Sequence, residues 1–508
     1  MRVRGNLGRL AAPALLVAIV IALAVWRIVL LRSGPDPDSD SYGHHGIARQ
    51  ILVDPRDLSV HWVWLPLFHY AQSLMMLCGG VMETVRYANV AFWAAVPVLL
   101  FVYMRGGAPE GRAGLVNHKS RAPEGRAATA VAAFVAAIAC ALSPIGMQMA
   151  TTAQPEPLFC LLVLGAVVAM DRARYVASAA LLASAALLRY EAWAAIAAVA
   201  MVLAGDSLLA RRGAERRYAS RAWIVVAIPI AAIFAWAIAR RINDGEWFSF
   251  LHQTKEFAND AMKSSGSLGA GIAHVVSDAM YYGVHVAKRV FGPAVWLAPI
   301  GLVRTFRKQG ALFVLVFAAC LGFVTLTWIT RSSLGLDRHF VVLLPLYAAL
   351  IANGGVQISE LVARVWKSWG LAVVNAAMSV AIVASTWSVL DPWMHEWRGA
   401  IEHGWPDREA VGVYLRALPP NATIFCDEAT VEIISGLDRH RFDRHWVDEP
   451  GGADRIAEAG ARDGTVYVAT WLRKMRELRD RGAGEIVFRP PGFTEDDTGL
   501  AVMRVTRR

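Results

Sequence analysis

Eleven separate stretches of mostly apolar residues run through this chain, near 10–31, 84–104, 127–147, 157–170, 175–188, 191–209, 222–239, 288–303, 311–329, 339–355 and 369–390. Crossing about 30 Å of hydrocarbon takes roughly 20 such residues in a helix. Stretches of that kind leave little choice of fold, because backbone in lipid must satisfy its own hydrogen bonds. Composition agrees: 56% of residues are hydrophobic, 18% are charged and mean hydropathy is +0.40. A soluble domain carries about 25% charged residues, and disorder needs low hydrophobicity with high charge. The expected fold class is therefore a polytopic α-helical membrane protein with about eleven transmembrane helices. The first run is too long for a signal-peptide core and no small-residue cleavage site follows it, so it is expected to stay as an anchor.

One weaker run, 62–80, opens with Pro66 near its head and carries His69, Tyr70 and Gln72. It either spans or lies along the interface as an amphipathic helix. Charge separates the two. With 62–80 interfacial, the basic segments Arg2–Arg9, Arg105–Arg126, Asp171–Arg174, Arg211–Arg221, Arg304–Lys308 and Arg364–Lys367 all fall on one side. A spanning 62–80 would move every later basic loop across, against the positive-inside rule. The expectation is an interfacial 62–80, a cytoplasmic N-terminus and an outer C-terminal tail, in a bacterial inner membrane. The sequence APEGRA, at 108–113 and again at 122–127, is expected to be a linker.

Residues 391–508 differ in character. They hold 17 Lys and Arg against 21 Asp and Glu, a net −4 that leaves +14 on residues 1–390 of a +10 chain. A basic membrane part follows from topology and calls for no nucleic-acid partner. REAVGVYLRAL and WLRKMRELRDRG read as helices; ATIFCDE, GTVYVAT, EIVFRP and LAVMRV read as strands. The expectation is a membrane domain over 1–390 and a small extracytoplasmic α/β domain over 391–508. Five scattered cysteines form no C-x-x-C pair, and four of them sit in or beside apolar runs as small buried hydrophobes.

Ionisable groups at membrane depth are costly and mark function, and the acids on the expected outer side gather just after the first span and at span ends. Asp38 and Asp40 lie two apart in DPDSDSYGHHGIARQIL, with Tyr42, His44 and His45 behind them. An aspartate pair with nearby histidine suits a divalent cation or a general base; a helix N-cap is the plain alternative. Glu156 stands between Pro155 and Pro157. Arg189 and Glu191 flank Tyr190 in a tight outer turn, where a local ion pair is the plain alternative. Arg338 and His339 open a late apolar run that continues to Tyr347. Arg suits phosphate recognition, or anchors at headgroups.

In this order the pieces resemble the GT-C fold glycosyltransferases that use polyprenyl-phosphate donors, above all the protein O-mannosyltransferase and lipid A aminoarabinose transferase group. A weaker likeness runs to oligosaccharyltransferase catalytic subunits. Asp40 and Tyr42 lead into Ala48-Arg49-Gln50-Ile51-Leu52, then Trp64-Leu65-Pro66-Leu67-Phe68-His69-Tyr70, then Arg86 and Asn89. Ser143-Pro144 precedes Glu156, Arg189-Tyr190-Glu191 follows, and INDGEWFSFLHQT (Ile242 to Thr254) comes before Arg338-His339 and Pro345-Leu346-Tyr347. Ser41 stands where many members carry a glutamate.

The resemblance covers residues 10–355. It implies sugar transfer, hexosyl or pentosyl, from a polyprenyl-phosphate-linked donor to a glycan, lipid or protein acceptor at the outer membrane face. It implies catalytic roles for Asp40, Glu156 and Asp38, phosphate binding by Arg338, His339 and Arg189, and a cavity shared by Tyr42, His44, Glu191 and Tyr347. It leaves the cofactor open: a divalent metal, if used, would draw on Asp38, Asp40 or Glu156. The rival readings are a transporter or flippase of lipid-linked substrates, and a phospho-group transferase acting on lipids. No repeat relates the two halves, as transporters often show.

Overall fold

A computed structural model of the chain describes residues 3–106, 123–209, 221–264, 272–366, 370–443, 451–491 and 499–506. Both APEGRA copies lie wholly or partly outside these residues, as do most of the expected basic loops 105–126 and 211–221. Residues fall into two compact units. One comprises Met1–Leu30, Asp57–Ala71 and Glu83–Arg398; the other comprises Leu31–Arg56, Gln72–Met82 and Gly399–Arg508.

The first unit is helical. Its helices are α1 (Val3–Leu31), α4 (Met82–Gly106), α5 (Pro123–Ala141), α6 (Pro144–Met149), α7 (Glu156–Asp171), α8 (Tyr175–Ala186), α9 (Glu191–Leu209), α10 (Ile224–Asp244), α11 (Ser249–Ser264), α12 (Ile272–Met280), α13 (Ala287–Phe291), α14 (Leu297–Ile329), α15 (Leu344–Val365) and α16 (Leu371–His403). Among the described residues, seven helical stretches are long and apolar enough to cross a membrane, and 128–141 and 175–186 are shorter apolar helices. The chain is thus a multi-pass membrane protein. The two runs 288–303 and 311–329 meet in α14, which breaks at Gly310 with φ 88°, a backbone value suited to glycine. The break therefore falls where the sequence places a boundary between spans.

The first half of helix α15, Leu344–Val356, is buried all round, as expected of a central helix. It meets α14 through glycines. A Cβ on Gly301 would sit 1.9 Å from the Leu350 carbonyl oxygen, and one on Gly354 would sit 2.1 Å from that of Leu297. Helices α5 and α6 are separated at Ser143-Pro144, since proline disfavours helical backbone in the residue before it. Ser143 Oγ donates to the Cys140 carbonyl at 2.8 Å across that break.

The run 62–80 yields α3 (Leu67–Leu77) after a short 3-10 turn, Ser59–His61. Eleven residues rise about 16 Å, too short to cross a bilayer. Pro66 precedes α3, and Trp62 adopts φ 47°. Tyr190 Oη donates to the Val63 carbonyl at 2.8 Å and Arg240 Nη1 to that of Leu58 at 2.7 Å, fastening this loop. Beneath it His61 and His69 share a 2.8 Å hydrogen bond between their Nδ1 atoms. Both rings are fully buried. Burial, and then the nearby Arg240 charge, push the His61 pKa down to about 3.

The second unit contains α2 (Ser39–Val53) and a five-stranded sheet of β1 (Thr423–Phe425), β2 (Phe442–Asp443), β3 (Thr465–Trp471), β4 (Gly484–Phe488) and β5 (Leu500–Thr506), in the order β2-β1-β3-β5-β4. Strands β2, β1 and β3 are parallel; β5 runs antiparallel to β3 and β4. Helices α17 (Pro406–Arg416), α18 (Ala429–Ser435), α19 (Gly452–Asp463) and α20 (Arg476–Asp480) complete it. The four expected strands form, and so does the helix expected from REAVGVYLRAL. WLRKMRELRDRG gives only the short α20, because Trp471 ends β3 and residues 472–475 turn before the helix starts. Helices α18 and α19 and strand β2 lie outside the expected elements. The boundary expected at 390/391 falls inside α16, a single helix through to His403.

Candidate active site

Two proline residues set the first element. Pro155 occupies the N-cap of α7 and Pro157 its first turn, so the helix starts at Glu156. A carboxylate there is favoured by the exposed amides and the helix dipole. Glu156 is only 2% exposed. Arg189 enters from the tight turn between α8 and α9. Its Nη1 lies 2.5 Å from Glu156 Oε1, and its Nη2 lies 2.7 Å from Glu191 Oε1. Nε of the same guanidinium lies 3.1 Å from Glu191 Oε1. Arg338, from the 3-10 segment Asp337–Leu343 ahead of α15, brings its Nε to 3.6 Å from Glu156 Oε1. Two guanidiniums and two carboxylates thus meet in a largely buried cluster. The second Glu156 oxygen, Oε2, is buried and has no hydrogen-bond partner among the described residues.

Supports around this cluster were only partly legible. Asn89 Nδ2 donates to the carbonyls of Thr152 and Gln154, both at 2.7 Å, and Arg86 Nε donates to Thr151 at 2.7 Å. The R-x-x-N pair therefore staples the segment that ends in Glu156. Trp393 and Trp397 add indole hydrogen bonds to the Gln148 side chain at 2.9 Å and the Thr151 hydroxyl at 3.0 Å.

The 337–343 segment is held by a π-helical turn, Tyr281–Val286, which nothing in the pattern YYGVHV announces. Tyr281 Oη donates to Asp337 Oδ1 at 2.8 Å, Tyr282 Oη donates to the Leu336 carbonyl at 3.1 Å, and the Tyr282 ring stacks on His339. Single-turn π segments often occur at functional sites. Tyr347 takes a different part: its hydroxyl donates to the Gly283 carbonyl at 2.8 Å, beside an apolar cavity of about 360 Å³ that Trp296, Leu321 and Leu350 also line.

The first acidic motif belongs to the second unit. Asp38 is the N-cap of α2, its Oδ1 accepting the Asp40 amide at 3.0 Å. Asp36 Oδ1 accepts the Asp38 amide at 3.0 Å. Asp40 lies in the first turn of the helix and is partly exposed, while Tyr42 and His44 are buried. The structure therefore brings Glu156, Arg189, Glu191 and Arg338 together and sets His339 against the supporting tyrosine. Asp38, Asp40, Tyr42 and His44 share α2. Among the described residues no three His, Cys, Asp or Glu side chains converge as metal ligands would. Among the described residues the donor set offers no ready cation site.

No protein-family model matches the chain, and no curated protein matches its sequence. Solved structures do match. ArnT from Cupriavidus metallidurans in the apo state aligns over 96% of this chain and 97% of its own, at 14% identity and a TM-score of 0.56. The same protein bound to undecaprenyl phosphate aligns over 97% of both chains, at 14% identity and a TM-score of 0.58. Arabinofuranosyltransferase AftD from Mycobacteria aligns over 97% of this chain and 40% of its own, at 14% identity and a TM-score of 0.43. At this identity the likeness to ArnT concerns the fold: the chain has the GT-C fold.

Proposed function

We propose that the chain is an integral-membrane glycosyltransferase that moves a sugar, hexosyl or pentosyl, from a polyprenyl-phosphate donor to an acceptor at the outer membrane face. The observation that carries this reading is the buried cluster of Arg189, Arg338, Glu156 and Glu191 at the ends of apolar helices. A lipid-borne phosphate arrives at that depth, where guanidiniums recognise it with planar donor pairs. The ligand of one similar structure, undecaprenyl phosphate bound to ArnT, belongs to the same chemical class.

In this reading Asp40 takes the proton of the acceptor hydroxyl. The freed oxygen attacks the anomeric carbon, the bond from that carbon to the phosphate oxygen breaks, and the phosphate leaves with the electron pair. Arg338 and Arg189 offset the growing charge. Glu156 holds both guanidiniums in place, and its open Oε2 accepts a hydroxyl of the donor sugar. Asp38 starts the helix that carries Asp40. The charge asymmetry of the loops supports a cytoplasmic N-terminus and an outer C-terminal domain in a bacterial inner membrane.

The test is chromatography of lipid extracts from a strain lacking this chain. A polyprenyl-linked sugar should accumulate there and disappear on complementation. An unchanged lipid-linked pool, with no binding of undecaprenyl phosphate by the purified protein, would sink the proposal.

A further inference from the structure

The α/β domain is built around α2. Arg49, on α2, donates from Nη2 to the Leu437 carbonyl at 2.7 Å, and its Nη1 lies 3.4 Å from Glu432 Oε1. Glu432 sits on α18 and is fully buried; Arg439 approaches the same oxygen at 3.7 Å. At the other end of α2, Trp405 Nε1 donates to the Asp36 carbonyl at 2.7 Å, and its ring meets that of Tyr42 edge-on with centroids 6.3 Å apart. Trp405 is itself fixed to the sheet. The Arg408 guanidinium stacks 4.1 Å from its ring and 5.1 Å from that of Trp471, at the end of β3. Its Nε lies 3.6 Å from Glu428, just beyond β1. A third tie comes from Ser73 Oγ, which donates to the Ala48 carbonyl at 2.9 Å.

A buried carboxylate shared by two guanidiniums adds little net stability over an apolar replacement; its better-attested use is to fix geometry. Here Arg49 ties α2 to that carboxylate, Ser73 bonds the Ala48 carbonyl on the same helix, and Trp405 packs on Tyr42 and holds Asp36 just ahead of the helix that carries Asp40.

We propose that the α/β domain is a positioning device for α2, with Arg49, Glu432 and Trp405 as positioning residues that set the place of Asp40. The proposal rests on the reading of Asp40 as the base. It gives the domain a role in turnover rather than in donor binding.

The experiment uses the full-length protein in nanodiscs, with the polyprenyl-linked sugar extracted from the deletion strain as donor and undecaprenyl phosphate as the binding probe. Arg49→Met should speed amide exchange along 42–53. It should lower turnover on the order of 10²-fold, the usual consequence of a misplacement near 1 Å. Undecaprenyl phosphate affinity should stay within about twofold, since a 1.4 kcal/mol change would already be tenfold. Arg49→Lys keeps the charge but not the fork, and should recover part of the turnover. Added to Asp40→Asn, Arg49→Met should cost nothing more. Trp405→Phe keeps an aromatic face but trims the indole and removes the donated N–H, and should show the same pattern, more weakly, even if Arg49→Met does not fold.

Unchanged exchange along α2, or a further full loss in the double variant, would overturn the proposal. If Asp40→Asn alone turns over like wild type, the base reading fails instead. Exchange then judges the clamp by itself, faster exchange supporting it and unchanged exchange overturning it.

Discussion

Arg189 Nη1 lies 2.5 Å from Glu156 Oε1, across 33 residues of sequence and the whole of α7 and α8. The same guanidinium grips Glu191, two residues away. The local ion pair, the plain alternative in the Arg-Tyr-Glu turn, forms, and it is also half of a larger cluster that Arg338 joins.

Arg338→Lys tests the phosphate role. Lysine keeps the charge but loses the planar donor pair, so turnover and donor affinity should both fall. Arg338→Ala should lose a charge-assisted hydrogen bond, about 1.5–3 kcal/mol. A headgroup anchor predicts free replacement by lysine, which also snorkels. Steady-state kinetics of the lysine variant indistinguishable from wild type would leave only the anchor.

Asp40→Asn keeps size and removes the base. Turnover should drop by roughly 10²–10⁴-fold, with protein yield and undecaprenyl phosphate binding intact. Wild-type turnover would reduce this residue to an acid in the first turn of α2.

Glu156→Gln shifts the cluster from balanced charge to an excess of one positive charge. Undecaprenyl phosphate should bind several-fold tighter, while unfolding in detergent should become easier by roughly 1–3 kcal/mol as the carboxylate shared by Arg189 and Arg338 is lost. Weaker lipid binding by titration would contradict the assignment of these guanidiniums to phosphate.

His61 sets an acid limit. Its pKa in the folded chain is pushed from 6.5 down to about 3, by burial first and Arg240 second. Below pH 6.5 the unfolded chain takes up a proton that the folded chain refuses, so stability falls progressively as pH drops from 6.5 towards 3. His61→Asn retains a partner for His69 but cannot titrate. Thermal unfolding between pH 7 and pH 5 should fall more steeply for wild type; parallel curves would refute the assignment.

Topology is checked by reporters active only outside the cytoplasm. A fusion after Arg508 should be active, and one after Arg172, between α7 and α8, inactive. A stable, inactive Arg508 fusion would reverse the orientation.

Runs of about 20 apolar residues determined the membrane class by themselves, because a bilayer admits so few backbone solutions. Pro155 and Pro157 likewise announced where α7 begins, and strands such as GTVYVAT were legible from alternation. Short-range signals of this kind need no knowledge of the fold. Which of Asp38 and Asp40 caps α2 was not decided by their spacing of two, since either can; the backbone geometry gives the cap to Asp38 and leaves Asp40 in the first turn. Asn89 on the carbonyls of Thr152 and Gln154, the tyrosines of the π-helical turn behind His339, and Arg49 on Leu437, 388 residues away, were invisible for one reason. Each bond joins a side chain to backbone or to a partner that only the packing of distant segments brings within hydrogen-bond reach, and a linear pattern carries no record of that distance.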